Sequence, residues 1–275
     1  MIDTHAHLNF AAYKDDFNQV RQNYLQVGIS KIINIGTNLE TSLESIELSQ
    51  KFPEIYATIG IHPCDWNKYD AQVEEKFQQI LNSPQAEKIV AIGECGIDLF
   101  HEEKFLNQQI AVFKAQIKIA RQFDLPIIIH ARNPKDPKQN PTKSHELALQ
   151  ILQEQNHTKA VFHCFMEELQ FAEKLWKQGI YTGFNATITY PKNREKFIEL
   201  LKNIPTELFL LETDCPFLPL QKDRGKRSEP KIIADLANFI AETAQLENIQ
   251  NEALQNQALL MQQNLKNAQK IFKGI

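Results

Sequence analysis

Two histidines two residues apart, His5 and His7, end the short opening run Met1-Ile2-Asp3-Thr4-His5-Ala6-His7. A β-strand repeats its side-chain direction every two residues, so both imidazoles project from one face and suit a single metal ion. Further metal-ligand types, His62, Glu94, His130, His163 and Asp214, each close an apolar, β-rich run. Five of the eight histidines stand at such ends, which leaves His101, His145 and His157 for helices and loops. Taken singly, His130 and His163 read as core or capping residues, and Asp214 before Cys215-Pro216 reads as a turn residue or helix cap. Glu94 in Ile92-Gly93-Glu94 is different, because a carboxylate against an apolar strand is costly unless paired or coordinated. Taken together, the six residues His5, His7, Glu94, His130, His163 and Asp214 exceed the three or so ligands of one catalytic zinc, so two ions are expected. His5, His7 and Asp214 then serve one ion and His130 and His163 the other, with Glu94, central in strand order, placed to bridge. Two ions about 4 Å apart activate a shared water and stabilise both oxygens of a displacement, so hydrolysis is the implied reaction.

Such a set needs a scaffold that carries run ends to one side. Apolar runs at 1–7, 31–36, 55–61, 89–94, 126–130, 160–164, 180–184 and 208–214 read as strands. Segments of helical period lie between and after them, at 17–27, 39–51, 73–81, 106–123, 144–154, 169–177, 194–201 and 231–244. Eight strands each followed by a helix predict an α/β fold, the (β/α)8 TIM barrel, whose chemistry sits at the C-terminal strand ends. A doubly wound sheet fits less well, since it commonly has five or six strands and no G-x-G-x-x-G follows the first run. No low-complexity linker divides the chain, so residues 1–275 are expected as a single TIM-barrel domain, with the Gln/Asn-rich tail 247–272 as a C-terminal helix packed on the barrel.

Apolar residues make up 43% and charged residues 23%, enough for a packed core and unlike a disordered chain. A formal charge of −4 leaves no global footprint for nucleic acid, so an anionic substrate must be met by local cations or metals. Four cysteines without a C-x-x-C pair argue against a zinc ribbon or disulfide framework. Cys95, Cys164 and Cys215 each follow a proposed ligand, so the strand period turns them away from it as small packed hydrophobes. No basic targeting region opens the chain and no run approaches the roughly 18 apolar residues of a membrane span, so a cytoplasmic location without membrane contact is expected. No obligate protein partner is indicated.

The ordered motifs resemble those of the TatD family of metal-dependent deoxyribonucleases, within the amidohydrolase superfamily. They are Asp3-Thr4-His5-Ala6-His7-Leu8, Gly60-Ile61-His62-Pro63, Ile92-Gly93-Glu94-Cys95-Gly96-Ile97-Asp98, Pro126-Ile127-Ile128-Ile129-His130-Ala131-Arg132, Phe162-His163-Cys164-Phe165 and Glu212-Thr213-Asp214-Cys215-Pro216-Phe217-Leu218. Arg224 to Pro230 and Asn267 to Phe272 also look like family motifs, so the likeness runs nearly end to end. The resemblance implies a nuclease with two divalent ions, Mg²⁺, Mn²⁺ or Zn²⁺, bridged by Glu94, that hydrolyses phosphodiesters of DNA as a 3′-5′ exonuclease on single strands. It places His62 near the scissile phosphate rather than as a permanent ligand. Three departures lie beside the expected cleft: Leu99 where tyrosine is common, a longer Pro/Lys-rich segment at 133–143, and a lengthened loop at 185–193.

Asp214 is the candidate to orient the water and accept its proton, alongside Glu94 and His62 as catalytic residues. Arg132, just beyond His130, is the better phosphate clamp, because a strand end fixes its position. Lys222, Arg224, Lys226 and Arg227 follow the eighth strand, where barrels place phosphate contacts, and read equally as a solvated basic loop. Trp66, Phe100 and Tyr190 are available to stack on bases or to pack within loops. The alternative function is a metal-dependent carboxylic ester, lactone or aminoacyl-RNA ester hydrolase, since the same ligands serve both reactions.

Overall fold

The computed structural model describes residues 1–101, 103–136, 138 and 143–275. Its strands are β1 Ile2–Ala6, β2 Lys31–Asn34, β3 Ile55–Ile59, β4 Ile89–Asp98, β5 Ile127–Arg132, β6 Ala160–Phe162, β7 Tyr181–Phe184 and β8 Phe209–Leu211. They lie in one sheet in sequence order, β1 to β8, with parallel pairing. The intervening helices are α1 Phe17–Gln26, α2 Leu39–Lys51, α3 Ala71–Leu81, α4 Leu106–Gln122, α5 Ser144–Glu154, α6 Leu169–Trp176 and α7 Arg194–Asn203, followed by α8 Ile233–Leu246, α9 Glu252–Gln255 and α10 Gln257–Ile271. This is the (β/α)8 TIM-barrel fold that the alternation predicts. Among the described residues no helix is long and apolar enough to cross a membrane.

Most strand ends differ from the sequence reading by one to four residues, and three of them have an identifiable backbone feature. β4 continues past Glu94 to Asp98 because Gly96, at φ 141°, lets β5 come close: a Cβ there would sit 2.0 Å from the His130 carbonyl oxygen. β6 and β8 end at Phe162 and Leu211, and shortly beyond them Cys164 and Asp214 take left-handed φ values of 50° and 56°, through which an extended strand cannot continue.

The chain forms two compact units, residues 1–34, 164–271 and 275, and residues 35–163 and 272–274. In the first, a parallel bridge between Ala6 and Cys215 joins β1 to the segment after β8. The tail packs here, as α9 and α10 rather than one helix. Its amides complete backbone bonds that the strands leave open. Asn264 Nδ2 donates to the Ile2 carbonyl at 3.0 Å while its Oδ1 accepts from Leu211 N at 2.9 Å, and Asn267 Nδ2 donates to the Phe209 carbonyl at 2.7 Å. Buried backbone groups must find partners, which explains amides in an otherwise apolar helix face.

In the second unit, Val73, Phe77, Ile80 and Leu81 recur at helical spacing along α3 and bury against Ala57 and Ile59 of β3. Each such side chain contributes about 1.5–3 kcal/mol of burial. Asn38 starts α2 with a reciprocal bond to Thr41, and Asp70 caps α3 through the Gln72 and Val73 amides.

Candidate functional site

The first unit holds one donor group. His5 lies on β1 and His7 follows it, and both are buried. Two backbone bonds, Asp214 N to the His5 carbonyl and His7 N to the Cys215 carbonyl, each 2.8 Å, hold Asp214 beside them. Asp214 Oδ1 is 3.2 Å from His7 Nε2 and 3.6 Å from His5 Nε2. Donors about 2.1 Å from one ion at a tetrahedral angle are themselves about 3.4 Å apart, so this spacing fits a divalent cation. Asp3, one strand period before His5, supports the group. Its Oδ1 accepts from His5 N at 3.2 Å and Thr213 N at 3.0 Å, and Thr213 Oγ1 donates to its Oδ2 at 2.6 Å. Burial pushes the Asp3 carboxyl up to about 8 against these bonds. Buried Glu212 accepts from Cys164 N at 2.6 Å and from Asn185 Nδ2 at 3.2 Å, tying together the ends of three strand segments.

The second unit holds another. Glu94 Oε1 lies 2.8 Å from His130 Nδ1 and 2.9 Å from His163 Nε2, which are 3.4 Å from each other. The carboxylate and the His130 imidazole hydrogen-bond, and the same spacing would let a carboxylate and two imidazoles hold a divalent cation. His62 Nε2 stands 3.6 Å from the same Glu94 oxygen. Its Nδ1 accepts from Cys64 N at 3.1 Å, so the neutral ring carries its proton on Nε2 and presents a donor there rather than a ligand lone pair. Burial, then repulsion from charged His130, depresses the His62 pKa to about 3.

Asp98, absent from the sequence-derived set, completes this group. Its Oδ1 accepts from the Phe100 and His101 amides at 2.9 and 2.8 Å, which aims Oδ2 at His130 Nε2, 2.9 Å away. Burial opposes its charge, but His130 outweighs that and draws the Asp98 pKa down to about 2. Burial likewise opposes charge on His130, yet hydrogen bonds to Asp98 and Glu94 raise its pKa. An Nε2–H held by Asp98 would leave Nδ1 to hold an ion, as in a carboxylate–histidine–metal arrangement, where a proton and an ion compete for one lone pair. Asp98→Asn keeps the two amide bonds and weakens this support, so calorimetric titration with Mn²⁺ should show affinity reduced about 10–100-fold. Unchanged affinity would remove Asp98 from the site.

A family model described as TatD related DNase matches residues 2–273. The chain belongs to that family. The metal-dependent hydrolase YabD of Bacillus subtilis is 34% identical over 248 residues, covering 90% of this chain and 92% of the relative. The 3′-5′ ssDNA/RNA exonuclease TatD of Escherichia fergusonii is 27% identical over 248 residues, covering 88% of this chain and 90% of the relative. The crystal structure of YjjV, a TatD homologue from Escherichia coli K12, superposes with a TM-score of 0.87 at 29% identity, covering 100% of this chain and 98% of that one. This TatD-family chain is therefore a metal-dependent hydrolase.

The cations and aromatics of the TatD-family chain divide by their contacts. Arg132 is exposed at the end of β5, its guanidinium 3.8 Å from the Phe100 ring centroid and its Nη1 3.0 Å from His101 Nε2. In the basic loop, Lys222 pairs with Asp235 at 3.6 Å, Lys226 with Asp223 at 2.8 Å, and Arg227 with Asp16 at 2.6 Å. Arg224 instead lies 4.6 Å from the Tyr190 ring, and both line a cavity of about 560 Å³ with Pro191, Lys192 and Gln221. Tyr190 is buried and donates to the Pro219 carbonyl, while Trp66 packs on the second unit's core. Of the three departures, Leu99 is buried, and the 185–193 loop forms two short turns, Ala186–Thr189 and Pro191–Asn193. In the third, residues 137 and 139–142 lie outside the described residues.

Proposed function

We propose that this chain is a 3′-5′ exonuclease that hydrolyses phosphodiester bonds of single-stranded DNA with two divalent ions, Mg²⁺, Mn²⁺ or Zn²⁺. The observation that carries this reading is the pair of donor groups, His5–His7–Asp214 and Glu94–His130 with His62 or His163 beside them, each with its polar atoms at ligand spacing. The likeness to an exonuclease acting on single-stranded DNA and RNA supports the substrate class.

When bound, the ions lower the pKa of a water and neutralise charge on the phosphate oxygens. The chain supplies the rest. Asp214 orients the water and takes its proton, because its carboxylate is the partly exposed member of its group, with a side-chain accessibility of 14% against 3% for His7. Neutral His62 donates from Nε2 to a non-bridging phosphate oxygen, a role its bond from Cys64 leaves open. Arg132 at the exposed end of β5 and Arg224 in the exposed loop after β8 clamp flanking phosphates. Glu94, which sits among three imidazoles, would serve as a carboxylate ligand in this proposal. Four free cysteines suit the reducing cytoplasm, where we place the protein.

The test uses chelator-treated protein, resupplied with Mg²⁺ or Mn²⁺ and offered 3′-labelled single-stranded DNA and a simple carboxylic ester in parallel. DNA degradation that vanishes in excess chelator and returns with metal is expected. Full activity in chelator would end the two-ion reading, and ester turnover with intact DNA would replace the phosphodiesterase with an ester hydrolase.

A further inference from the structure

Five large apolar side chains are exposed among the described residues, and Phe217, at 50%, is the aromatic one. An isolated exposed apolar residue needs no explanation, but this ring stands against a proposed metal donor. Its centroid is 6.0 Å from the His7 ring at an interplanar angle of 70°, and 5.9 Å from Phe10 at 81°, while Phe10 and His7 are 4.7 Å apart. Both neighbours meet Phe217 edge to face and hold its plane.

The backbone is specialised to present it. Phe217 N donates to the Asp214 carbonyl at 3.0 Å, and Ser228 N donates to the Pro216 carbonyl at 3.0 Å, closing the turn from both sides. Asp214 and Leu218, which bracket the turn, have φ values of 56° and 50°. A leucine in the left-handed region is unfavourable, and such residues persist where surrounding structure or function requires them. A fold seeking stability alone would turn this phenylalanine inward.

We infer that Phe217 is a stacking platform for a nucleobase of the nucleotide whose phosphate meets the His5–His7–Asp214 group, an inference that rests on the phosphodiesterase reading above. A base hangs one sugar away from its phosphate, a separation of the same order as that between the Phe217 and His7 rings. A phenyl ring has no donor or acceptor, so it accepts any base by its π face. It positions the substrate and takes no part in proton transfer.

The test compares oligothymidylate with the same strand carrying an abasic terminal nucleotide, in wild type, Phe217→Ala and Phe217→Trp. In wild type the base is expected to improve kcat/KM about tenfold, mostly through KM; the ratio falls to near one in Phe217→Ala and is kept in Phe217→Trp. In chelator-treated protein, a terminal 2-aminopurine is expected to be quenched by wild type and Phe217→Trp and not by Phe217→Ala. A wild-type ratio near one, or an undiminished ratio or quenching in Phe217→Ala, overturns the platform while leaving the nuclease reading intact. Wild type that leaves all DNA intact overturns both.

Discussion

Asp214→Asn is expected to lower kcat on single-stranded DNA by about 10²–10⁴-fold, the range lost when a positioned proton acceptor is removed. The change is nearly isosteric. Asparagine tolerates the left-handed conformation at φ 56° as well as aspartate does, and the bond from residue 214 N to the His5 carbonyl is made by the backbone. The turn presenting Phe217 is therefore expected to survive, and with it the melting temperature. What disappears is the charge 3.2 Å from His7 Nε2 and the capacity to accept a proton. The two effects separate by measurement. Lost metal affinity is rescued by higher Mn²⁺, whereas a lost acceptor is not, so kcat at saturating Mn²⁺ is the decisive quantity. Near wild-type kcat there would remove Asp214 from proton transfer and leave it a ligand only.

Part of this site is legible in local sequence patterns. His5 and His7 are paired by the strand period, with His7 just past β1 and held by its bond to the Cys215 carbonyl, and the parallel sheet carries Glu94, His130 and His163 on buried strands or just beyond them. Residues that depend on departures from local pattern are harder to see. Asp98 continues the period of two from Glu94 through Gly96, so its signal is present, but a strand ended at Glu94 conceals it. Gly96 looks like a strand breaker in sequence, whereas in the fold it admits the His130 carbonyl of the neighbouring strand. Asp3 precedes His5 by the same period, yet its role comes from Thr213, 210 residues away. Glu212 acquires meaning from Cys164 and Asn185 by the same kind of long-range closure. Phe217 shows the limit most clearly: exposure of an apolar residue is fixed by the turn that holds it, and composition says only that it should be inside.

Glu94→Gln is expected to reduce turnover by about 10³-fold or more and to lower the bound-ion stoichiometry from two to at most one. Glu94 is buried, and a single oxygen of it faces His130 Nδ1 at 2.8 Å, His163 Nε2 at 2.9 Å and His62 Nε2 at 3.6 Å. Glutamine preserves the volume, so no cavity opens. Its amide N–H can donate to the Nδ1 lone pair of a neutral His130, while Asp98 continues to hold Nε2 at 2.9 Å. The metal-free fold then keeps the bond to His130, but the lone pair that an ion needs is occupied by the new donor. The substitution thus withdraws the negative ligand and masks a neutral one in a single step. Calorimetry with Mn²⁺ reads the stoichiometry directly, and thermal melting in chelator verifies that the chain still folds. Two ions retained at wild-type affinity would exclude Glu94 as a ligand. One ion retained on His5, His7 and Asp214 would restrict Glu94 to the second group, and loss of both would support its sharing between them.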